Sequence, residues 1–132
     1  MRITLILSLV LLFVLTACGG GGGPVVGDAG RGEKLYSQAT IGAKSAEGCT
    51  SCHNQDESEG PAENAPYTAG TATRAATRVA GLSAEEYIHE SILNPNAYVV
   101  EGWQEDDMYQ TFSQELSEQE IADLVAYLLT QK

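Results

Sequence analysis

Basic side chains are scarce in this chain. Its 132 residues carry 7 Lys and Arg against 18 Asp and Glu, a formal net charge of −11. Such a surface repels a phosphate backbone, so no nucleic-acid partner is expected. It repels anionic lipid as well, and membrane association would have to rest on acyl chains. Long apolar runs are also missing. The run from Ile3 to Leu15, behind Met1-Arg2, is too short to cross a ~30 Å hydrocarbon core at ~1.5 Å per residue. No stretch alternates apolar and polar residues convincingly, which removes the main strand signal and leaves an all-α expectation. No internal repeat is visible. With only 3 cysteines, 2 methionines and 2 histidines, each of these side chains carries weight.

Two of the cysteines stand in Cys49-Thr50-Ser51-Cys52-His53. Thiols at this spacing on a helical turn point the same way, toward the two vinyl groups of a haem, and each can close a thioether bond. The histidine after them then lies against the iron. The pentad is the attachment signature of haem c, with His53 as first axial ligand. A bare C-x-x-C also serves as a dithiol redox pair, which expects a βαβ setting, or as half a zinc site, which needs further Cys or His ligands. Neither context is present.

The third cysteine ends Leu15-Thr16-Ala17-Cys18, which resembles the lipobox of bacterial lipoproteins. That resemblance implies that residues 1–17 are an export signal and that Cys18 carries a diacylglycerol on its sulfur. An ordinary cleaved signal with a chance cysteine is the alternative. Gly19 to Gly23 are consecutive glycines followed by Pro24, so residues 18–27 read as a lipidated, flexible tether. Residues 28–132 suffice for one small domain, and a buried, covalently held haem would enlarge its apolar core. With one thiol for lipid and two for haem, no disulfide remains. The expected location is the outer (periplasmic or extracytoplasmic) side of a bacterial membrane.

Helical signals come after the tether. Asp28 is a fair N-cap for a helix to about Gln38, with Leu35 and Tyr36 on its apolar face. Ser83-x-x-Glu86 and Ser117-x-x-Glu120 are capping-box patterns. The first opens a helix carrying Tyr87, Ile88 and Ile92 that Pro95 stops. The second opens a helix with Ile121, Leu124, Val125 and Leu128 on one stripe. Residues 54–72 are poor in apolar side chains. A loop that long usually serves a ligand, here as a cover for the haem.

Together these residues resemble a class I monohaem cytochrome c over roughly residues 28 to 130. The resemblance implies a small all-α fold whose N- and C-terminal helices cross around one covalent haem. Gly32 and Tyr36, with Leu124 and Tyr127, fit that crossing. The family places a Gly-Pro after the motif whose proline carbonyl accepts a hydrogen bond from the proximal histidine, which makes Pro61 of Gly60-Pro61 the expected partner and Pro66 the runner-up. Met1 leaves with the signal, so Met108 is the remaining thioether. It lies shortly before the last helix, where the family keeps its methionine ligand, although Tyr109 stands where the family usually has proline. Met108 is therefore the expected second axial ligand, against the plainer reading of an ordinary packed methionine. His89 competes, but its neighbours Glu86 and Glu90 leave it facing outward.

Arg74 and Arg78, four apart, would share a helix face and could pair with haem propionates or simply be solvated. Trp103 and Tyr98 could pack on the haem rim or donate to a propionate. With His53 and Met108 both on iron, no position remains for oxygen, peroxide or nitrite, so no catalytic residue and no small-molecule substrate are expected. The implied function is one-electron transfer between respiratory or photosynthetic protein partners. The stretch from Tyr87 to Gly102 is similar to monohaem subunits of respiratory assemblies, including the small lipoprotein cytochrome of alternative complex III and the haem c domain of some oxidase subunits. A subunit of a quinol-oxidising or oxidase complex is thus the alternative. A haem enzyme or gas sensor survives only if Met108 does not bind iron.

Overall fold

The computed structural model describes residues 24–132. The expected export signal, lipobox and Cys18 lie outside the described residues, as do the consecutive glycines of the tether. Helix α1 spans Ala29–Tyr36, α2 Thr71–Arg78, α3 Ala84–Leu93, α4 Phe112–Glu115 and α5 Glu118–Leu128. A two-stranded antiparallel ladder, β1 (Thr40–Ile41) and β2 (Ala46–Glu47), pairs Thr40 with Glu47 and Ile41 with Ala46. The result is a small all-α fold with a minimal hairpin. Among the described residues no helix is long and apolar enough to cross a membrane.

Local caps set the helix starts. The Asp28 carboxylate accepts from the Arg31 amide at 2.8 Å, and α1 ends at Tyr36, two residues before the expected Gln38. Both capping boxes form. Ser83 and Glu86 satisfy each other's backbone amides at the head of α3, and Ser117 and Glu120 do so for α5. These bonds satisfy amide donors that a helix start would otherwise leave unpaired.

Helices α1 and α5 cross at Gly32. Tyr36 then packs against Tyr127 with the rings tilted by 49° and their centroids 5.2 Å apart. Asp123 on α5 accepts from the Asp28 amide at 2.8 Å and from Arg31 Nε at 2.7 Å, which ties the start of α1 to the crossing. Beneath it, Ile88 and Ile92 of α3 join Leu124, Val125, Phe112 and Leu116 in one buried core.

Two elements depart from the sequence expectation. Residues 71 and 72, assigned to the long loop, open α2, an alanine-rich helix whose buried face is Ala72 and Ala75. Alanine is the best helix former, yet it leaves no bulky periodic stripe to read. The hairpin turns through Gly42 at φ +79° and Ser45 at φ +59°, and two-residue strands are too short to show alternation. This hairpin also fixes where the cysteine motif begins. Gly48 donates to the Ala39 carbonyl at 2.9 Å, closing the chain against the end of α1 immediately before Cys49.

Candidate functional site

The Cys49 to His53 segment begins as a 3-10 turn over Cys49–Ser51. The His53 amide then reaches back to the Cys49 carbonyl at 2.9 Å, a helical step that turns both thiols and the imidazole into one space. That space is a cavity of about 530 Å³, within the range of ligand and cofactor pockets. Cys49, Cys52, His53 and Met108 all line it, with Ile41 and Phe112 among its apolar walls.

His53 is held by one strong bond. Its Nδ1 lies 2.7 Å from the Pro66 carbonyl oxygen. A carbonyl can only accept, so Nδ1 carries the proton and the Nε2 lone pair is left free for a metal. Burial holds the His53 pKa below the usual histidine value, against the opposing pull of the Pro66 bond. The ring is therefore neutral at pH 7, the form that ligates iron.

The partner is Pro66 and not Pro61. The Pro61 carbonyl accepts from Asn54 Nδ2 at 3.1 Å instead, and Pro61 is exposed. The reason is a short pairing that the local sequence does not announce. Thr68 donates to Asn54 at 3.0 Å and Ala69 to Gln55 at 2.8 Å, which folds the chain back so that Pro66 comes alongside His53. Gly60-Pro61 is left in the outer turn. Accordingly, Asn64 to Tyr67 line the cavity, and the earlier part of the expected covering loop does not.

Burial pushes the Cys49 thiol up to about 11. A dithiol redox pair works through a thiolate of lowered pKa, so this environment is wrong for one. Among the described residues no three His, Cys, Asp or Glu side chains converge as a metal site, so the pair also lacks companions for tetrahedral zinc. Two thiols, a neutral imidazole and a thioether on an apolar cavity fit a covalently attached haem.

Arg74 and Arg78 both line the cavity from α2. Arg74 is largely committed to backbone. Its guanidinium donates to the Tyr67 carbonyl at 2.5 Å and the Ala69 carbonyl at 2.7 Å, strapping the segment just after Pro66. Trp103 lines the cavity half-buried, and Tyr98 meets Tyr87 edge-on at 6.0 Å. His89 is exposed and takes no part in the lining. Tyr36 has a role beyond the helix crossing. Its hydroxyl lies 2.6 Å from Thr68 Oγ1, whose own hydroxyl donates to Asn54. This chain of bonds links α1 to the residue after His53, across a sequence separation that no local pattern reveals.

A family model described as cytochrome c matches residues 29–132. No curated protein and no solved structure matches the chain.

Proposed function

The chain belongs to the cytochrome c family, and from that premise we propose that it is a lipid-anchored monohaem cytochrome carrying single electrons between protein partners on the outer side of a bacterial membrane. The family holds one covalent haem c, which supplies a one-electron ferric/ferrous couple. Cys49 and Cys52 would hold it through thioethers. His53 would ligate through its free Nε2, with Pro66 fixing the ring and raising its basicity. Met108 would fill the sixth position, where a thioether raises the potential relative to a second histidine.

The observation that supports this reading most is the sharing of one apolar cavity by Cys49, Cys52, His53 and Met108. Apolar walls such as Ile41 and Phe112 suit a large apolar group, and filling both axial positions would leave no place for a small substrate. A carrier needs no more than that. The ferrous protein should therefore be reoxidised reversibly and should bind carbon monoxide poorly. Ready carbon monoxide binding would replace the carrier by an enzyme or sensor.

The anchor rests on Leu15 to Cys18. Two or three acyl chains hold a protein far more stably than one. Cys18→Ser should release haem protein from membranes or block its maturation. Normal processing with retention in high salt, and no partner complex present, would count against a lipoprotein. The similarity of Tyr87 to Gly102 to subunits of respiratory complexes supports a second reading, a resident subunit of a quinol-oxidising or oxidase assembly. Size exclusion of solubilised membranes with haem staining separates that subunit from a free carrier.

A further inference from the structure

Between Tyr98 and Phe112 the chain has no helix or strand, yet this segment carries Met108. Its internal bonds are local, such as Trp103 to Val100 at 3.0 Å and Gln104 to the Asp107 carboxylate at 2.9 Å. Among the described residues, besides Tyr109 Oη to Glu115 at 3.2 Å, every hydrogen bond that leaves residues 99–110 ends on Asn96. Asn96 Nδ2 donates to the Asp106 carboxylate at 2.8 Å, and the Asp106 amide donates back to Asn96 Oδ1 at 3.0 Å. Gln110 Nε2 reaches the same Oδ1 at 3.3 Å while also donating to the Met108 carbonyl at 2.7 Å.

We propose that Asn96 is the positioning residue for the Met108 sulfur, clamping its loop two residues before and two residues after the methionine; this rests on Met108 being the sixth ligand. The platform is rigid. Asn96 sits in the 3-10 turn Pro95–Ala97, directly after α3, whose Ile88 and Ile92 are buried in the core. The clamped loop includes Asp106 at φ +68°, a region that most non-glycine residues avoid and that Asp and Asn enter more readily. The reciprocal pair with Asn96 fixes that backbone turn. The bonds are exposed, so water competes for each and none is strong alone. Acting on one short loop, they decide how often Met108 leaves the cavity, whereas the helix crossing at Gly32 would not sense their loss.

The test uses the holoprotein. In ferric Asn96→Ala, cyanide association should rise by at least about tenfold, the factor that ~1.4 kcal/mol of lost tethering gives. Amide exchange at 106–108 should accelerate, while α1 and α5 exchange as in wild type. Asp106→Asn keeps an acceptor for Asn96, the backbone donor and tolerance of positive φ, and should stay close to wild type. If Asn96→Ala does not accumulate as holoprotein, Asn96→Asp loses the same donor, sets a like charge against Asp106 and is judged by the same readouts. Wild-type cyanide rates and loop exchange in the variant, with the red methionine charge-transfer band present, would overturn the clamp alone. A wild-type protein without that band, taking cyanide as fast as Met108→Ala, would overturn the ligand reading and the clamp together.

Discussion

Gly32 lies against the backbone of Asp123 so closely that a Cβ at position 32 would sit 1.9 Å from the Asp123 carbonyl oxygen. Backbone cannot swing aside as a side-chain tip can, so Gly32→Ala must separate α1 from α5. The expected cost is about 3 kcal/mol, the upper end for overpacking, and a melting temperature lower by roughly 10 °C or more. Gly30, on the same helix, is the control. A Cβ there would meet only Asp28 Oδ1 at 3.4 Å, and Gly30→Ala should be neutral or stabilising by about 0.5–1 kcal/mol. Equal melting temperatures for the two variants would refute the close crossing.

Asp123 makes the same crossing sensitive to acid. Its bond with Arg31, helped by the Asp28 amide and Gln119, holds its carboxyl at about 2, below the usual aspartate value. A depressed pKa contributes stability that is complete above the unfolded value, roughly 3.9, and is lost as pH falls through the folded one. Arg31 is 55% exposed, so solvent screening reduces the contribution to about 1 kcal/mol. Asp123→Asn should therefore melt below wild type at pH 6, with the gap closing between about pH 4 and pH 2. A gap that stays constant over that range would show that the charge contributes nothing.

Sequence patterns disclosed the parts of this fold whose causes are local. The Ser83 and Ser117 boxes need only a hydroxyl and a glutamate three residues on, and both form. The crossing is not local, and it is expected only through the resemblance to class I cytochromes c, which Gly32, Tyr36, Leu124 and Tyr127 fit. Helix α2 was hidden because its buried face is alanine and its N-cap is Gly70 at φ +77°, neither of which announces a helix start. The choice between Pro61 and Pro66 depends on how Asn54 and Gln55 pair with Thr68 and Ala69, a contact between separated segments. For the same reason the sequence offers Arg74 to a haem propionate or to solvent, although most of its guanidinium is taken by the carbonyls of Tyr67 and Ala69.

Acidic side chains near the cysteine motif and Met108 fall into two groups in space. Glu47, Asp106 and Asp107 line the cavity, whereas Asp56, Glu57, Glu59 and Glu63 are exposed on a turn that does not. Complementary charge raises encounter rates, so a partner approaching the cavity should present Lys and Arg to the first group. Its electron-transfer rate should fall as ionic strength passes about 0.1 M, where the Debye length is roughly 10 Å. Glu47→Gln should lower the rate at low salt and flatten the salt dependence, and Glu57→Gln should do neither. A rate that is flat or rising with salt would indicate apolar docking or a permanent complex.

Met108 and His89 offer opposite sixth ligands, and the structure sets them in different places: Met108 on the cavity wall, His89 exposed on α3. Met108→Ala should abolish the red charge-transfer band of the ferric protein, lower the potential and open the iron to carbon monoxide. Thioether attachment through Cys49 and Cys52 should survive, because it does not depend on the sixth ligand. His89→Ala should leave spectrum and potential nearly unchanged. If His89→Ala is the variant that alters the axial spectrum, the iron has two histidine ligands. Helix α3 would then have to turn about its own axis to deliver His89, removing Ile88 and Ile92 from the core they share with Leu124.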